Sequence, residues 1–552
     1  MNFKMKFKKL RFVIIPVVMV LLFSGFYSGM GDIYLEISKN IELFSRVYKE
    51  ISYNYVDDID PEQFMRAGIR GMLSSLDPYT IFIDEKKKED IDLITNGKYG
   101  GIGISIGVRG KQVTVVEVMD GYSAQRQGIK IGDIIIEAEN VKINSDNVDE
   151  ISSLVKGEPG TTVKLRIIRN EYSDTLDFNI EREEVIVKNL TYAGFYPADG
   201  NTVYLKLSNF SRAASDEIKI ALRQLKSEKN IESIIFDLRG NPGGLLDIAV
   251  DICDKFLQKD QLIVSTRGRD VTSERNYYSV QEPMIGDAKL VILINGGSAS
   301  ASEIVAGAIQ DHDRGLILGT KSFGKGLVQT ITTLNFNTSL KITTAKYYTP
   351  SGRCIQKIDY SEDSDVIKNH NIDSDSKYYT DSKREVFSKG GITPDSIVKF
   401  SINGNITKEL LAQGFFFQFA NYYSYNNKDE DFNKISDDEL LNQFKDYIDS
   451  EDFVYHSRAE KDIDILINDI SDNEDPLYKE LESIKAKLHE LDNSEFVIYK
   501  DEIRITLMTE LASRYLGLEG RIKERLTTDA QVQTALSILE NEEVYNNLLH
   551  VH

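Results

Sequence analysis

The sequence predicts a multidomain chain of mixed α+β and α/β class, built from consecutive regions of different pattern. Apolar residues recur every three or four positions over 32–98, which indicates a helical N-terminal region. Glycine-rich alternation follows over 99–183, and strand-like and helix-like runs alternate over 184–400, a pattern typical of a largely parallel sheet. Helical periodicity returns over 401–552. A chain of 552 residues is too long for one domain.

The first 31 residues differ in composition from the rest of the chain. A basic segment at 4–11 precedes the segment 12–31, which carries no charged residue. Such a run is long enough to cross a hydrocarbon core, which takes about 20 residues, and its basic flank would stay in the cytoplasm. No small-x-small cleavage site stands out, so the pattern predicts a signal-anchor rather than a cleaved signal peptide. We therefore expect an exported bacterial envelope protein in the periplasm, tethered to the inner membrane by 12–31.

Charge and cysteine content exclude several classes of function. The chain has 66 Lys and Arg against 87 Asp and Glu, and its net charge of −21 argues against a nucleic-acid partner. Two cysteines, Cys253 and Cys354, are too few for a disulfide framework. The six histidines are scattered, and no CxxC or HxxxH spacing occurs. We therefore predict neither a metal site nor a cofactor.

The region 99–183 begins with a glycine-rich loop that leads into a strand, and a short helix follows before Gly128 and the turn at Gly132. The loop consists of Gly101, Ile102, Gly103 and Ile104. This combination resembles a PDZ domain. The resemblance implies that the loop's backbone N–H groups capture the terminal carboxylate of a peptide, which then adds as a strand. The alternative is a small β-domain in which the loop is only a turn.

In the region 184–400, two glycine-rich segments lie where a predicted strand is followed by a predicted helix. One is 241–244, with the sequence NPGG, and the other is 295–303, with the sequence NGGSASASE. In α/β sheets the functional residues cluster at such junctions. The second segment places small hydroxyl residues at a helix N-terminus, where backbone N–H groups and the helix dipole favour a developing negative charge. The alternative is that its serines only cap the helix.

Two further regions are predicted from composition. Residues 357–388 are polar and acidic, and we interpret them as an exposed insertion in the sheet region. Residues 401–552 are rich in Leu, Phe, Tyr and Glu at helical spacing, and no catalytic cluster is apparent there. We expect this last part to be a helical C-terminal region.

A serine nucleophile needs a base, and the sequence limits the choice. His312 lies at the far end of the helix that Ser300 would begin, roughly 18 Å away at 1.5 Å per residue, which is too far for a hydrogen bond. Lys325 is an alternative base because it stands between two glycines, which let the backbone pack closely around it. A base lysine must be neutral, so its pKa must be depressed. Gln329 is uncharged and could accept a hydrogen bond from the amine without holding it protonated.

Three motifs together resemble the C-terminal processing peptidases, also called tail-specific proteases. They are GSASASE at 297–303, FGKGLVQ at 323–329 and DLRGNPGG at 237–244. The resemblance covers about 33–400 and implies a crotonase-like βα protease core. It also implies Ser300 as the nucleophile, Lys325 as the general base and Gln329 as the residue that orients the lysine, with an oxyanion hole formed by the N–H groups of Gly244 and Ala301. Ser298 and Ser302 return to turn and cap roles, and Asp311 is expected to be structural.

The sequence therefore predicts an exported Ser-Lys endopeptidase that recognises substrate proteins through their C-terminal tails. One alternative is a catalytically inactive PDZ scaffold on the same fold. Another is an acyl-CoA enzyme, an analogy of fold alone, against which the export signal and the PDZ-like region argue. The expected partners are protein C-termini and the membrane. An adaptor protein and a homo-oligomer remain open.

Overall fold

The computed structural model describes residues 34–84, 93, 95–109, 112–169, 174–269, 271–360, 377–388, 390–399, 404–470 and 475–549. The predicted signal-anchor, 12–31, lies outside these residues. Within them, no helix combines the length and the apolar character that crossing a membrane requires. The described residues separate into two compact units, one formed by 34–82 and 360, the other by the described residues of 83–359 and 377–549.

The described part of the first unit is helical, as the periodicity predicts. Helix α1 covers 34–54 and α2 covers Pro61–Ser74. Asp60 begins α2, because its side chain accepts hydrogen bonds from the backbone N–H groups of Glu62 and Gln63. The strand β1, Ile81–Ile83, follows and was not expected.

The PDZ region of the second unit is a twisted antiparallel sheet with two short helices. Its strands pair in the order β3-β4-β5-β7-β8, with β6 on β5, while β2 pairs separately with β9. The strands are β2 Lys98–Gly101, β3 Ile104–Arg109, β4 Gln112–Val118, β5 Ile134–Ala138, β6 Val141–Lys142, β7 Thr162–Arg169, β8 Asp174–Glu181 and β9 Glu183–Ile186. The helices are α3 Ser123–Arg126 and α4 Val148–Val155. Among the described strands, β3 ends the order and so presents an edge.

The region 184–400 is organised around a six-stranded sheet in the order β10-β11-β12-β15-β16-β21. Only its β10–β11 pair is antiparallel, which confirms the predicted βα alternation. The strands are β10 Leu190–Phe195, β11 Thr202–Leu207, β12 Ser233–Asp237, β15 Lys289–Ile294, β16 Leu316–Gly319 and β21 Ser396–Ile397, and the intervening helices are α5 Ala214–Glu228, α6 Leu246–Cys253 and α7 Ala301–Asp311. All eleven residues of α7 are buried, so the helix is packed within the core along its whole length.

A second sheet flanks this core and carries the segment after the predicted base. It contains β13 Leu262–Gly268, β14 Arg275–Tyr278, β17 Leu327–Thr333 and β18 Ser339–Tyr348. Each of these strands pairs antiparallel with its neighbour. The loop that leads into β17 therefore ends at a strand that is paired with β18 in a hairpin.

Only the two ends of the predicted exposed insertion, 357–360 and 377–388, are described, and most of their residues are exposed or half-buried. Residues 361–376 lie outside the described part of the chain, but 377–388 form a hairpin of β19 Tyr378–Tyr379 and β20 Glu385–Val386 that is attached to the core. Arg384 donates to Asp313 at 2.7 Å and to Asp395 at 2.6 Å, and its side chain is 8% exposed. The buried cation in this attachment is one residue, Arg384. A single arginine does not change the polar and acidic composition of the segment, so composition gave no sign of it.

The C-terminal region is helical, as expected, and its last helices complete the core. Its helices are α8 Asn405–Gln413, α9 Phe415–Asn426, α10 Asp437–Ser450, α11 Arg458–Asn468, α12 Pro476–Ile498, α13 Lys500–Tyr515, α14 Gly517–Thr528, α15 Ala530–Glu540 and α16 Glu542–Leu549. Residues of α14, α15 and α16 form one apolar cluster with Tyr204, Val291 and Leu318 of the central sheet. Arg239 joins the two regions by pairing with Asp237 at 2.7 Å and Asp529 at 2.8 Å.

Candidate active site

Ser300 lies at the sharp turn between β15 and α7. Its φ of 54° places it in the left-handed region that residues other than glycine seldom adopt. Such strain persists only where the surrounding structure fixes it, and it commonly marks functional positions. Ser298 and Ser302 are fully buried, and their hydroxyls donate to the carbonyls of Leu238 and Asn241 at 2.8 and 2.9 Å. Ser300 is half-buried, so of the three hydroxyls it is the one with access to solvent.

The loop 241–244 packs directly against this turn. Asn241 is fully buried, and its carbonyl accepts hydrogen bonds from the Ala299 N–H at 3.0 Å and from the Ser302 hydroxyl at 2.9 Å. A Cβ on Gly243 would lie 2.9 Å from both Ser300 Cβ and Ala301 N. Within the described part of the chain, neither the Gly244 N–H nor the Ala301 N–H donates a hydrogen bond. An oxyanion hole requires N–H donors without a partner in the protein, and among the described residues both of these N–H groups meet that condition.

Lys325 lies in the loop between β16 and β17. The glycines on either side are required by close contacts: a Cβ on Gly324 would lie 2.7 Å from Lys357 Cβ, and one on Gly326 would lie 2.9 Å from Gln356 N. The Gln356 side chain fixes the loop further by accepting the Gly326 N–H at 2.7 Å. The local sequence therefore places the lysine on a rigid backbone.

Gln329 lies on β17, four residues after Lys325. Its side-chain amide donates to the Thr343 hydroxyl of β18 at 3.3 Å. This bond orients the side-chain amide. The amide nitrogen is used as a donor to Thr343, and the side-chain carbonyl oxygen is the group that can accept a hydrogen bond.

Glu303 connects the two loops, and the sequence analysis assigned it no role. Its Oε2 accepts the backbone N–H groups of Ser300 and Lys325, each at 2.9 Å. Its Oε1 accepts the Ser322 hydroxyl at 2.5 Å and the Gly324 N–H at 2.7 Å. Because one oxygen serves both, the backbone nitrogens of Ser300 and Lys325 lie no more than about 6 Å apart. The spacing Ser300-x-x-Glu303 is a capping-box pattern, and that was the signal that could have identified this residue.

Burial raises the pKa of Glu303 to about 7, while its four hydrogen-bond donors each act to lower it. Near neutral pH the residue is therefore present in both protonation states. The ionised form accepts all four donors, whereas the protonated form must give up an acceptor position to its own proton. The hydrogen bonds that position Ser300, Ser322, Gly324 and Lys325 thus depend on the ionisation of Glu303.

His312 and Asp311 take structural positions at the other end of α7. The two ring nitrogens of His312 face acceptors, Asp381 Oδ2 at 2.8 Å and the Leu262 carbonyl at 2.7 Å. Asp311 pairs with Arg353 at 2.7 Å, and both side chains are buried. Asp311 therefore has the structural role that was expected. His312 is also structural, because both of its ring nitrogens are used in contacts with Asp381 and Leu262.

The predicted peptide-binding loop forms a second candidate site between β2 and β3. The carbonyls of Ile102 and Gly103 point inward, where they accept the N–H groups of Ala124 at 3.1 Å and Met119 at 2.9 Å. The N–H groups of Ile102 and Gly103 donate no hydrogen bond to any residue that the structure describes. Together with Gly101 and Ile104 they stand beside the edge strand β3, the arrangement that peptide addition requires.

Comparison with known proteins defines the class as a serine protease with a PDZ domain. Peptidase family S41 matches residues 201–366, and a PDZ domain matches 100–181. The N-terminal domain of the activating protease CtpB matches 30–87, and the C-terminal helical domain of a probable PDZ-protease matches 406–539.

The relatives agree with this class. A carboxy-terminal-processing protease of Bartonella bacilliformis is 37% identical over 59% of this chain and 74% of its own length. A probable CtpA-like serine protease of Staphylococcus haemolyticus is 31% identical over 64% of this chain and 72% of its own. The solved photosystem II D1 C-terminal processing protease aligns over 65% of this chain and 92% of its own at 24% identity, with a TM-score of 0.36 that supports no residue equivalences. The chain belongs to the carboxy-terminal-processing proteases of peptidase family S41.

Replacing Gly243 by Ala tests the packing of the loop against the nucleophile turn. The added Cβ would lie under 3 Å from Ser300 Cβ and Ala301 N, and φ at this position is +100°. We expect kcat/KM for a peptide substrate to fall at least about 100-fold, the size of losing an oxyanion donor.

Gly240→Ala is the matched control, because it also has a positive φ, of +73°, but its Cβ would meet nothing within 4 Å. It should lose about 1–2 kcal/mol of stability to backbone strain and keep its activity within a few-fold. Equal activity losses in the two variants would contradict the assignment of Gly243 to the site.

Proposed function

We propose that this protein is a Ser-Lys endopeptidase that cleaves proteins delivered to it by their C-terminal tails. The observation that carries the proposal is the convergence of the Ser300 turn, the Gly243–Gly244 loop and the Lys325 loop, held by Glu303 and Asn241. Three chain segments far apart in sequence supply a hydroxyl, two unused N–H donors and an amine. Acyl transfer needs those three groups.

In the proposed mechanism, Lys325 in its neutral form takes the proton of the Ser300 hydroxyl as the oxygen attacks the scissile carbonyl. The oxyanion of the tetrahedral intermediate is held by the N–H groups of Gly244 and Ala301. Gln329 orients the amine through its carbonyl oxygen without adding a charge that would keep the lysine protonated. The lysine then donates its proton to the leaving amine, and water releases the acyl group from Ser300 by the same steps in reverse order.

The PDZ domain would select the substrate. A peptide adding to β3 would place its terminal carboxylate against the N–H groups of Ile102 and Gly103, since carboxylates are well bound by adjacent backbone donors. Burial of Ile102 and Ile104, at 1% and 8% exposed, keeps this loop on the domain core. The tail would thereby be bound independently of the cleavage chemistry.

Variants of the two catalytic residues test the dyad. Ser300→Ala and Lys325→Ala should each lower kcat/KM on an unfolded protein with an apolar tail by more than about 1,000-fold. Lys325→Arg should be equally inactive, because arginine stays protonated and cannot act as a base. Lys321→Ala is the control, since Lys321 is an exposed lysine of the same loop. Activity in Lys325→Arg would show that the site needs a positive charge and not a base.

The same assay with peptide substrates ending in a carboxylate or in a carboxamide tests tail recognition. The carboxamide should raise KM at least about tenfold with kcat unchanged, because the loop N–H groups lose their anionic partner. Identical KM values for the two peptides would exclude the loop 101–104 as a carboxylate site. Peptide binding without turnover in the unmodified protein would favour the inactive scaffold.

We also propose that the protein is exported and held at the inner membrane by residues 12–31, with the protease in the periplasm. The support is the uncharged run 12–31 behind the basic segment 4–11. In fractionated cells the full-length protein should be found with the inner membrane and be digested by protease added to spheroplasts. Recovery in the cytosolic fraction, protected from added protease, would contradict export.

A further inference from the structure

Two histidines and a buried glutamate meet between α11 and α12 in the C-terminal helical region. His456 precedes α11, Glu460 lies in its first turn and His489 lies on α12. His456 Nδ1 is 2.9 Å from Glu460 Oε2, and His489 Nδ1 is 3.3 Å from Glu460 Oε1. One ligand atom from each of the three residues lies within 4.8 Å of the other two. Both imidazoles thus face the same carboxylate.

The carboxylate occupies a core position and not a surface one. The Glu460 side chain is 1% exposed, and the buried residues of α11 are Glu460 and Ile467. The two histidine side chains are 39% and 47% exposed, so one side of the cluster is open to an ion from solvent. A carboxylate placed this deeply needs hydrogen-bond donors, a cationic partner or a metal ion.

Buried carboxylates of this chain are held in two ways: Glu303 accepts neutral N–H and O–H donors, and others pair with an arginine. Asp237 pairs with Arg239, and Asp311 pairs with Arg353. Glu460 instead contacts two histidines, whose imidazole nitrogens can also be metal ligands. Lys485 on α12 pairs with Asp464 at 2.6 Å. Two imidazoles, rather than an arginine, therefore face this carboxylate.

A second carboxyl group adds to the negative charge. Asp492 is buried, is in side-chain hydrogen-bond contact with Glu460, and accepts the Ser457 N–H at 2.6 Å. A cation bound beside two carboxyl groups in contact is attracted by both. The cluster therefore has the charge and the donor atoms of a cation site.

We propose that His456, Glu460 and His489 bind a zinc ion that joins α11 to α12. Zn²⁺ takes imidazole nitrogen and carboxylate oxygen at about 2.0–2.2 Å, and a tetrahedral arrangement at these lengths sets ligand atoms about 3.3 Å apart. The observed separations of 2.9 and 3.3 Å are close to that value. Two nitrogens and one oxygen suit zinc better than Ca²⁺ or Mg²⁺, which prefer oxygen ligands throughout. Asp492 would orient the Glu460 carboxylate, as carboxylates beside metal ligands commonly do.

The sequence did not indicate this site, because its ligands do not follow a short spacing such as CxxC or HxxxH. His489 stands on a different helix from Glu460, and the pair is separated by 29 positions. The two helices bring the residues together only after the hairpin has folded. Metal binding would accordingly stabilise the folded hairpin over the open one.

Zinc titration of the full-length protein tests the proposal. The parent protein carries His550→Ala and His552→Ala, so that the terminal histidines supply no competing site. After treatment with a chelator and gel filtration, zinc sulfate is added in competition with a chromophoric chelator, and bound zinc is counted by elemental analysis. We expect one zinc per chain, with affinity reduced at least about 100-fold by His456→Ala plus His489→Ala and also reduced by Glu460→Gln.

Glu482→Gln is the matched control, because Glu482 is an exposed glutamate on α12 outside the cluster. It should bind zinc as the parent does. Cobalt substituted for zinc should give the intense visible absorption of a tetrahedral site, and zinc should raise the melting temperature of the parent but not of the double histidine variant. Absence of stoichiometric zinc, or equal affinity in the parent and the double histidine variant, would overturn the proposal.

Discussion

The active-site region depends on one buried carboxylate. Glu303 lies in the first turn of α7 and accepts the backbone N–H groups of Ser300, Gly324 and Lys325 and the hydroxyl of Ser322. Three of these donors belong to a loop about twenty residues further along the chain, so a single side chain sets the position of the Ser300 turn relative to the Lys325 loop. The Lys325 loop is in this way attached to the fully buried helix, and the proposed dyad needs such an attachment because catalysis is sensitive to small displacements.

Other buried polar groups extend this arrangement outward. Asn241 attaches the third loop by accepting the Ala299 N–H and the Ser302 hydroxyl. Arg239, two residues before it, pairs with Asp237 on β12 and with Asp529 at the start of α15. The C-terminal helices therefore pack against the central sheet and hold the end of β12, from which the loop 241–244 departs.

The sequence predicted the parts of this account that depend on local pattern. The strand, glycine-rich turn and helix around Ser300 were identifiable, as were the glycines beside Lys325, because each is a backbone requirement expressed within a few residues. Glu303 was missed although it stands in the motif, since its partners Gly324 and Lys325 come from another loop. The attachment of 377–388 to the core could not be predicted for the same reason, because Arg384 pairs with Asp313 and Asp395, which lie outside the segment. The cluster around Glu460 exists only between two packed helices, so no spacing rule could have identified it.

The central claim is that ionised Glu303 organises the nucleophile and the base, and the rate at which a fluorophosphonate probe acylates Ser300 tests it most directly. In the unmodified protein this rate should fall as the pH drops through about 7, where Glu303 takes up a proton and loses an acceptor position. Glu303→Gln keeps the size of the side chain but directs N–H groups at N–H donors, so it should react at least about tenfold more slowly and lack the inflection near pH 7. Peptide mapping should place the label on Ser300. A Glu303→Gln variant that is acylated at the unmodified rate, with the same pH profile, would contradict the account.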